Sequence, residues 1–209
     1  MFTGITRGTH PITRADHSAD LLRYAVQLDE TLCAGLEIGA SVAIDGVCQT
    51  VTRLEGSEVF FDAIRETLDK TTLGDLDVGT MVSVERSFRV GDEIGGHEVA
   101  GHVMGTGTVR EVSANDERYD FRVEVPVEWI KYIQPKGFIA IDGSSLTVGE
   151  VDSAGSFWLH LIPETLRLTN LGSKGPGARV NVELEARTVT IVDTVERILE
   201  QRFRDETTE

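Results

Sequence analysis

The tetrapeptide Ala-Ile-Asp-Gly occurs twice, at residues 43–46 and 140–143, and the second residue after each copy differs in its chemistry, Cys48 in one and Ser145 in the other. A thiol titrates nearer neutrality and is the stronger nucleophile, whereas a serine hydroxyl needs a base beside it. A thiol with a role in chemistry also needs exposure and an electropositive neighbour; without them a strand cysteine is a small buried hydrophobe. His97 and His102 lie in the glycine-rich run GGHEVAGH. A separation of five residues puts them side by side on neither a helix nor a strand, which argues against a metal pair. They read first as structural or surface histidines, although imidazole is the side chain suited to proton transfer near neutral pH. The segments ETLDKTTLG and ETLRLTNLG each follow a candidate strand. Their hydroxyls and carboxylates could grip a polyol, or equally form a turn with a helical cap.

These groups sit in a duplicated frame. A shift of 97 residues lays GITRGT at 4–9 over GHVMGT at 101–106 and Asp45-Gly46 over Asp142-Gly143. A shift of 98 lays RETLDKTTLG over PETLRLTNLG and MVSVE over RVNVE. That period is too long for a solenoid unit and fits a duplicated domain. It predicts units at 1–97 and 98–189, joined through GDEIGGHEVAG, and a third segment at 190–209. SVAIDG, EVFFDAI, MVSVE, DFRVEV, FIAIDG and RVNVELE are short, mostly alternating and β-branched, with turns between them, so each unit reads as all-β. Closing into a small barrel would remove the strand edges of so short a domain. Short helices are expected at 29–36 and 126–133. In the last segment Ile191, Val192, Val195, Ile198, Leu199 and Phe203 form a stripe of helical period, suited to packing on its own domain or to self-association.

The chain has 209 residues, 35 acidic against 20 basic, for a net charge of −15. Such a surface repels phosphate backbones and anionic lipid, so neither nucleic acid nor membrane is an expected partner. With two cysteines, no apolar leader and no membrane-length apolar run, a reduced, cytoplasmic protein is expected. No strand-linked GxGxxG unit occurs, which sets aside a nicotinamide-linked flavin reductase.

MFTGI, GASVAIDGVCQTVT, DEIGGH with its following GH, GFIAIDGSSLTVGEV, HLIPETLRLTNLG and GARVNVE with VDTVER resemble the α-type riboflavin synthases over nearly the whole chain. The resemblance implies two tandem six-stranded Greek-key closed barrels related by pseudo-twofold symmetry, followed by a C-terminal α-helix. It implies a homotrimer, a candidate association with lumazine synthase, and no cofactor or metal. The implied reaction is the dismutation of two molecules of 6,7-dimethyl-8-ribityllumazine to riboflavin and 5-amino-6-ribitylaminouracil by four-carbon transfer, at a site shared by the first barrel of one subunit and the second barrel of a neighbour. Carried over by position, one ligand pocket involves Cys48, Gln49, Thr50, Asp62, Ala63, Ile64, Arg65, Glu66, Thr67, Gly101, His102 and Val103. The other involves Gly4, Ile5, Thr6, Ser145, Leu146, Thr147, Ile162, Pro163, Glu164, Thr165, Leu166 and Arg167, with Lys136 reaching across the subunit contact. His102 is expected as a proton shuttle, Cys48 or Ser41 as nucleophile or its positioner, and Phe2 as a wall. Glu185 stands where the family usually has aspartate, either catalytic or a solvated carboxylate. The other reading is a lumazine- or flavin-binding protein of the same fold without turnover.

Overall fold

The computed structural model of the protein describes residues 1–115 and 119–206. The first six strands are β1 (Thr9–His17), β2 (Leu21–Gln27), β3 (Ser41–Ile44), β4 (Val47–Glu55), β5 (Glu58–Ile64) and β6 (Met81–Arg86). They close as β1-β2-β5-β4-β3-β6. The second set is β7 (Gly105–Ala114), β8 (Tyr119–Glu124), β9 (Phe138–Ile141), β10 (Ser144–Asp152), β11 (Ser156–Leu161) and β12 (Arg179–Leu184). It closes in the same cyclic order, β7-β8-β11-β10-β9-β12. All pairings are antiparallel, and the register slips at equivalent places, between Ile12 and Arg14 and between Val51 and Arg53 in one barrel, and between Val109 and Glu111 and between Val148 and Val151 in the other. An extra residue bends its strand, which is how a sheet this small curls shut.

Alternation places one face of every strand inside its barrel. Tyr24, Phe61, Val82 and Val84 belong to the first core, and Phe121, Phe157, Val180 and Val182 to the second. Each fully buried aromatic or aliphatic side chain contributes about 1.5–3 kcal/mol. The sequence expectation of helix at 29–36 is met by a single turn, α1 (Glu30–Cys33), capped by Asp29, whose carboxylate accepts from the Leu32 N–H at 2.8 Å. At 126–133 the chain forms a 3₁₀ segment (Val127–Tyr132) instead of an α-helix. Two further helices, α2 (Arg65–Lys70) and α3 (Pro163–Leu168), follow β5 and β11.

The final helix, α4 (Ala186–Glu206), begins four residues before the expected 190. Glu185 is the reason: its carboxylate accepts from the N–H groups of Arg187 and Thr188 and from the Thr188 hydroxyl, capping the helix ahead of its apolar stripe. Lys131 and Tyr132 of the 3₁₀ segment hold α4 through Glu196 and Asp193. Ile191, Val195, Ile198 and Leu199 stay exposed while Val192 is half-buried, so most of the stripe is left uncovered by its own barrel.

The barrels meet through the outer faces of β3 and β6 against those of β9 and β12. The turns Asp45-Gly46 and Asp142-Gly143 have positive φ at both residues, 44° and 79° in each, the hairpin type that suits the strand twist. They pack back to back so closely that a Cβ on Gly46 would lie 2.4 Å from the Gly143 nitrogen. Asp45 accepts from the Ser83 N–H and the Asn170 amide, and Asp142 accepts from the Asn181 N–H and pairs with Lys174 at 2.7 Å. Burial, and after it the charge of Asp142, push the Asp45 carboxyl up to about 7, against the opposing pull of Lys174, Ser83 and Asn170. Unfolded aspartate loses its proton near pH ~4, so from there to about 7 the folded chain binds more protons and this group's contribution to stability falls as pH rises. An asparagine in place of Asp45 would keep the acceptor oxygen and suit the left-handed turn. Urea unfolding of wild type and Asp45→Asn between pH 4 and 8 should show wild type losing ground towards neutrality against a flatter variant, and a pH-independent gap between them would contradict this account.

Candidate active site

Two short arms build the site. Residues 1–6 lead into β1, yet Gly4 docks on the second barrel, its carbonyl accepting from the Ser145 N–H at 2.8 Å. The connector at 99–103 leads into β7, yet Gly101 docks on the first barrel, its carbonyl accepting from the Cys48 N–H at 2.9 Å. The arms also bind each other through paired bonds between Phe2 and Val99. Gly4 and Gly101 both have positive φ, and a Cβ on either would come within 2.6 Å of the Cβ of Ser145 or Cys48. Cys48 and Ser145 thus occupy equivalent places, each beneath the glycine of an arm that belongs to the other half of the repeat.

Beside the first barrel, Cys48, Glu66, Thr67, Gly101, His102 and Val103, all expected there, line one cleft of 250 Å³ together with Val47, Lys70 and Thr71. Those last three were not anticipated. Lys70 shares one face of α2 with Glu66, four residues away, and pairs with it at 2.8 Å, which holds the Glu66 carboxyl below its ordinary range. The cleft therefore offers a carboxylate, hydroxyls and an ammonium at its rim and an exposed imidazole near a half-buried thiol. A larger hollow of 670 Å³ lies around Arg7, Arg86 and Arg89, but Arg86 is spent on the carbonyls of Leu32, Ala34 and Gly35.

At the second barrel the equivalent position is already engaged. His97 Nδ1 lies 2.7 Å from the Ser145 hydroxyl, and its ring stacks on Phe138. Burial pushes the His97 pKa down and the charge of Glu185 offsets only part of this, so the ring is neutral at neutral pH and can act as a hydrogen-bond acceptor or base. The signal for His97 was the glycine before it: a Cβ on Gly96 would sit 2.4 Å from the Thr3 carbonyl and 2.5 Å from Ser145 Cβ, so only glycine brings the histidine this close. Thr6 donates to the Leu168 carbonyl, tying this arm to the end of α3, while Glu164 and Arg167 pair on the helix surface. Ile162 and Thr147 are exposed beside them, Thr165 and Leu166 half-buried.

Several expected residues fall elsewhere. Gln49, Ala63 and Leu146 are buried on the inward faces of their strands, leaving only their backbone to a ligand. Thr50, Asp62, Ile64 and Arg65 are exposed outside the cleft lining, with Arg65 paired to Asp69. Ser41 begins β3 opposite Thr50, also outside that lining. Phe2 is wholly buried between the barrels with Ala43, Val99 and Ala140, and supports the arm from beneath Gly101. Lys136 lies on a turn and lines a different hollow, together with Gly149 and Glu150 of β10 and His160 of β11. Glu185 is half-buried and bonded rather than free: burial raises its pKa, but the donors of Thr188 and Arg187 outweigh this and hold the carboxyl below its ordinary value.

The comparisons agree with this architecture. The model of the lumazine binding domain matches residues 3–87 and 100–185, one copy per barrel. The riboflavin synthase of Escherichia coli (strain K12) is 49% identical over 97% of this chain and 95% of its own length. That of Chlamydia pneumoniae is 42% identical over 98% and 100%. The crystal structure of LumP complexed with riboflavin superposes with a TM-score of 0.82 at 26% identity, over 88% of this chain and 100% of LumP. LumP complexed with 6,7-dimethyl-8-(1'-D-ribityl) lumazine gives 0.80 at the same identity, over 88% and 99%. With one matched domain in each barrel and close to half its residues shared with an enzyme of nearly equal length, the chain belongs to the riboflavin synthase family.

Proposed function

We propose that the protein is a riboflavin synthase, a transferase that moves a four-carbon unit between two molecules of 6,7-dimethyl-8-ribityllumazine and releases riboflavin and 5-amino-6-ribitylaminouracil. The observation that carries this reading is the near-full-length identity to riboflavin synthases, 49% against 26% for the ligand-binding LumP. The two substrate molecules account for every atom of the two products, so the reaction draws on no external oxidant, reductant or group donor. Its barrier lies in bringing two like molecules together in fixed orientation, where proximity can supply about 7–11 kcal/mol.

Two similar sites with different chemistry suit a reaction whose identical substrates play unequal parts. At the first, His102 takes a proton from the C7 methyl of one lumazine, and Cys48 positions the ring or the attacking group. At the second, the Ser145–His97 pair directs a hydroxyl or water to C7 of the other lumazine. Glu66 and Glu164, with Thr67 and Thr165, accept and donate to the ribityl hydroxyls. The two sites meet when the first barrel of one subunit faces the second barrel of another. A homotrimer joined along Ile191, Val195, Ile198 and Leu199 supplies that arrangement, since an exposed stripe of this kind calls for a partner helix. The free thiols Cys33 and Cys48 fit a reducing compartment such as the cytoplasm, and no helix among the described residues is long and apolar enough to cross a membrane. An association of the trimer with a lumazine synthase is a separate expectation, read by co-sedimentation.

Purified protein given the lumazine alone should form one riboflavin for every two lumazines consumed; tight binding with no product would overturn the assignment. His102→Gln should lower kcat by about 10²-fold, the low end for general acid–base catalysis, because orientation carries most of the rate. A rate equal to wild type would remove His102 from the mechanism. Ile198→Glu should convert the trimer to monomer in analytical ultracentrifugation and abolish turnover while each subunit stays folded by circular dichroism. An active monomer would place both sites within one chain.

A further inference from the structure

We propose that the two sites are held crosswise, each barrel's ligand-gripping arm being fixed by a buried glutamate of the opposite barrel, so that Glu183 positions the first site and Glu85 the second. Glu183 stands on β12 of the second barrel, 8% exposed. Its two oxygens accept from the Ala100 N–H at 2.7 Å and the Gly101 N–H at 2.9 Å, and the His102 N–H also turns to it. These are the residues that cover Cys48 and carry His102 into the first cleft. Glu85 stands on β6 of the first barrel, 5% exposed. One of its oxygens accepts from both the N–H and the hydroxyl of Thr3, and the other accepts from the Gly4 N–H. Gly4 covers Ser145 of the second barrel.

Each clamp uses both oxygens of one carboxylate against backbone donors, an arrangement stronger than neutral hydrogen bonds and fixed in direction. Glutamine has the same shape but replaces one acceptor with an NH₂ group, which then faces an N–H and cannot bond it. The arm would lose its anchor while the strand that bears the residue keeps its ladder. Because β6 and β12 also carry Ser83 and Asn181, whose side chains bond across the junction between barrels, the clamp makes the shape of each site depend on that junction. The positioning role belongs to the synthase reaction proposed above, but the contacts themselves can be tested without any ligand.

The probe is alkylation by iodoacetamide of the ligand-free full chain, followed by peptide mass spectrometry with Cys33 as internal reference. Glu183→Gln should raise the Cys48 rate at least about tenfold relative to Cys33, and Glu85→Gln should leave it within about twofold of wild type. In a Ser145→Cys background, which puts a thiol beneath the other arm, the order should reverse. Loosening of both thiols by either substitution, uncrossed loosening, or unchanged rates would overturn the proposal. If a glutamine variant fails to fold, Glu183→Asp and Glu85→Asp, which keep both acceptors on a shorter stem, should show the same crossed order at smaller amplitude. Turnover measured on the same samples separates the two ideas: crossed labelling in an inactive protein would retain the clamps and remove the synthase reading, and uncrossed labelling in an active one would do the reverse.

Discussion

Everything distinctive in this molecule depends on the contact between two tight turns. Asp45-Gly46 and Asp142-Gly143 lie back to back with no room for a side chain on either glycine. That approach brings the outer faces of β3 and β6 against β9 and β12, where a lone barrel would be wet. The apolar part of the seam is small, Ala43, Ala140 and Val99 around the ring of Phe2. The remaining groups are polar and buried, so each must find a partner or cost about 1–3 kcal/mol. Asp45, Ser83, Asn170, Thr72, Asn181, Asp142 and Lys174 solve this as one network that crosses the junction repeatedly. Hydrogen bonds that demand particular partners fix the relative placement of the barrels more narrowly than apolar area would.

From that placement the sites follow. The arms at 1–6 and 99–103 run through the junction, pair with each other and end on the far barrel, so neither site is made by a single copy of the repeat. The symmetry of the frame is close, yet its chemistry diverges at the two proposed sites. Beneath one glycine lies a thiol beside an exposed imidazole, and beneath the other a hydroxyl joined to a histidine that the repeat does not duplicate. The reaction proposed above uses two copies of one substrate as unlike partners, and this combination suits it. The network diverges in the same way, with Lys174 opposite the buried Leu76 of the first half. The single ammonium pairs with Asp142, and its pull on Asp45 does not overcome the burial and the charge of Asp142 that push the Asp45 carboxyl up.

The repeat, the strand alternation and the helical stripe were all legible in the sequence, because each is a local pattern set by the period of burial; the Asp-Gly pairs, read there as the ends of strands, proved to be the hairpin turns. The pairing of Cys48 with Ser145 was legible too, since a shift of 97 sets them in register. The resemblance grouped Glu66 and Thr67 with the run from Gly101 to Val103, and in the structure these residues line one cleft. The resemblance already assigned each arm to a pocket on the far barrel; tertiary structure supplied the contacts that hold it there, Gly4 on Ser145 and Gly101 on Cys48, between segments far apart in the chain. It turned Glu185 into a helix cap, moved Phe2 from a pocket wall to the buried seam, and set His97 on Ser145. In each of these the side chain's role is set by the neighbour it meets, and no local period along the chain encodes that neighbour.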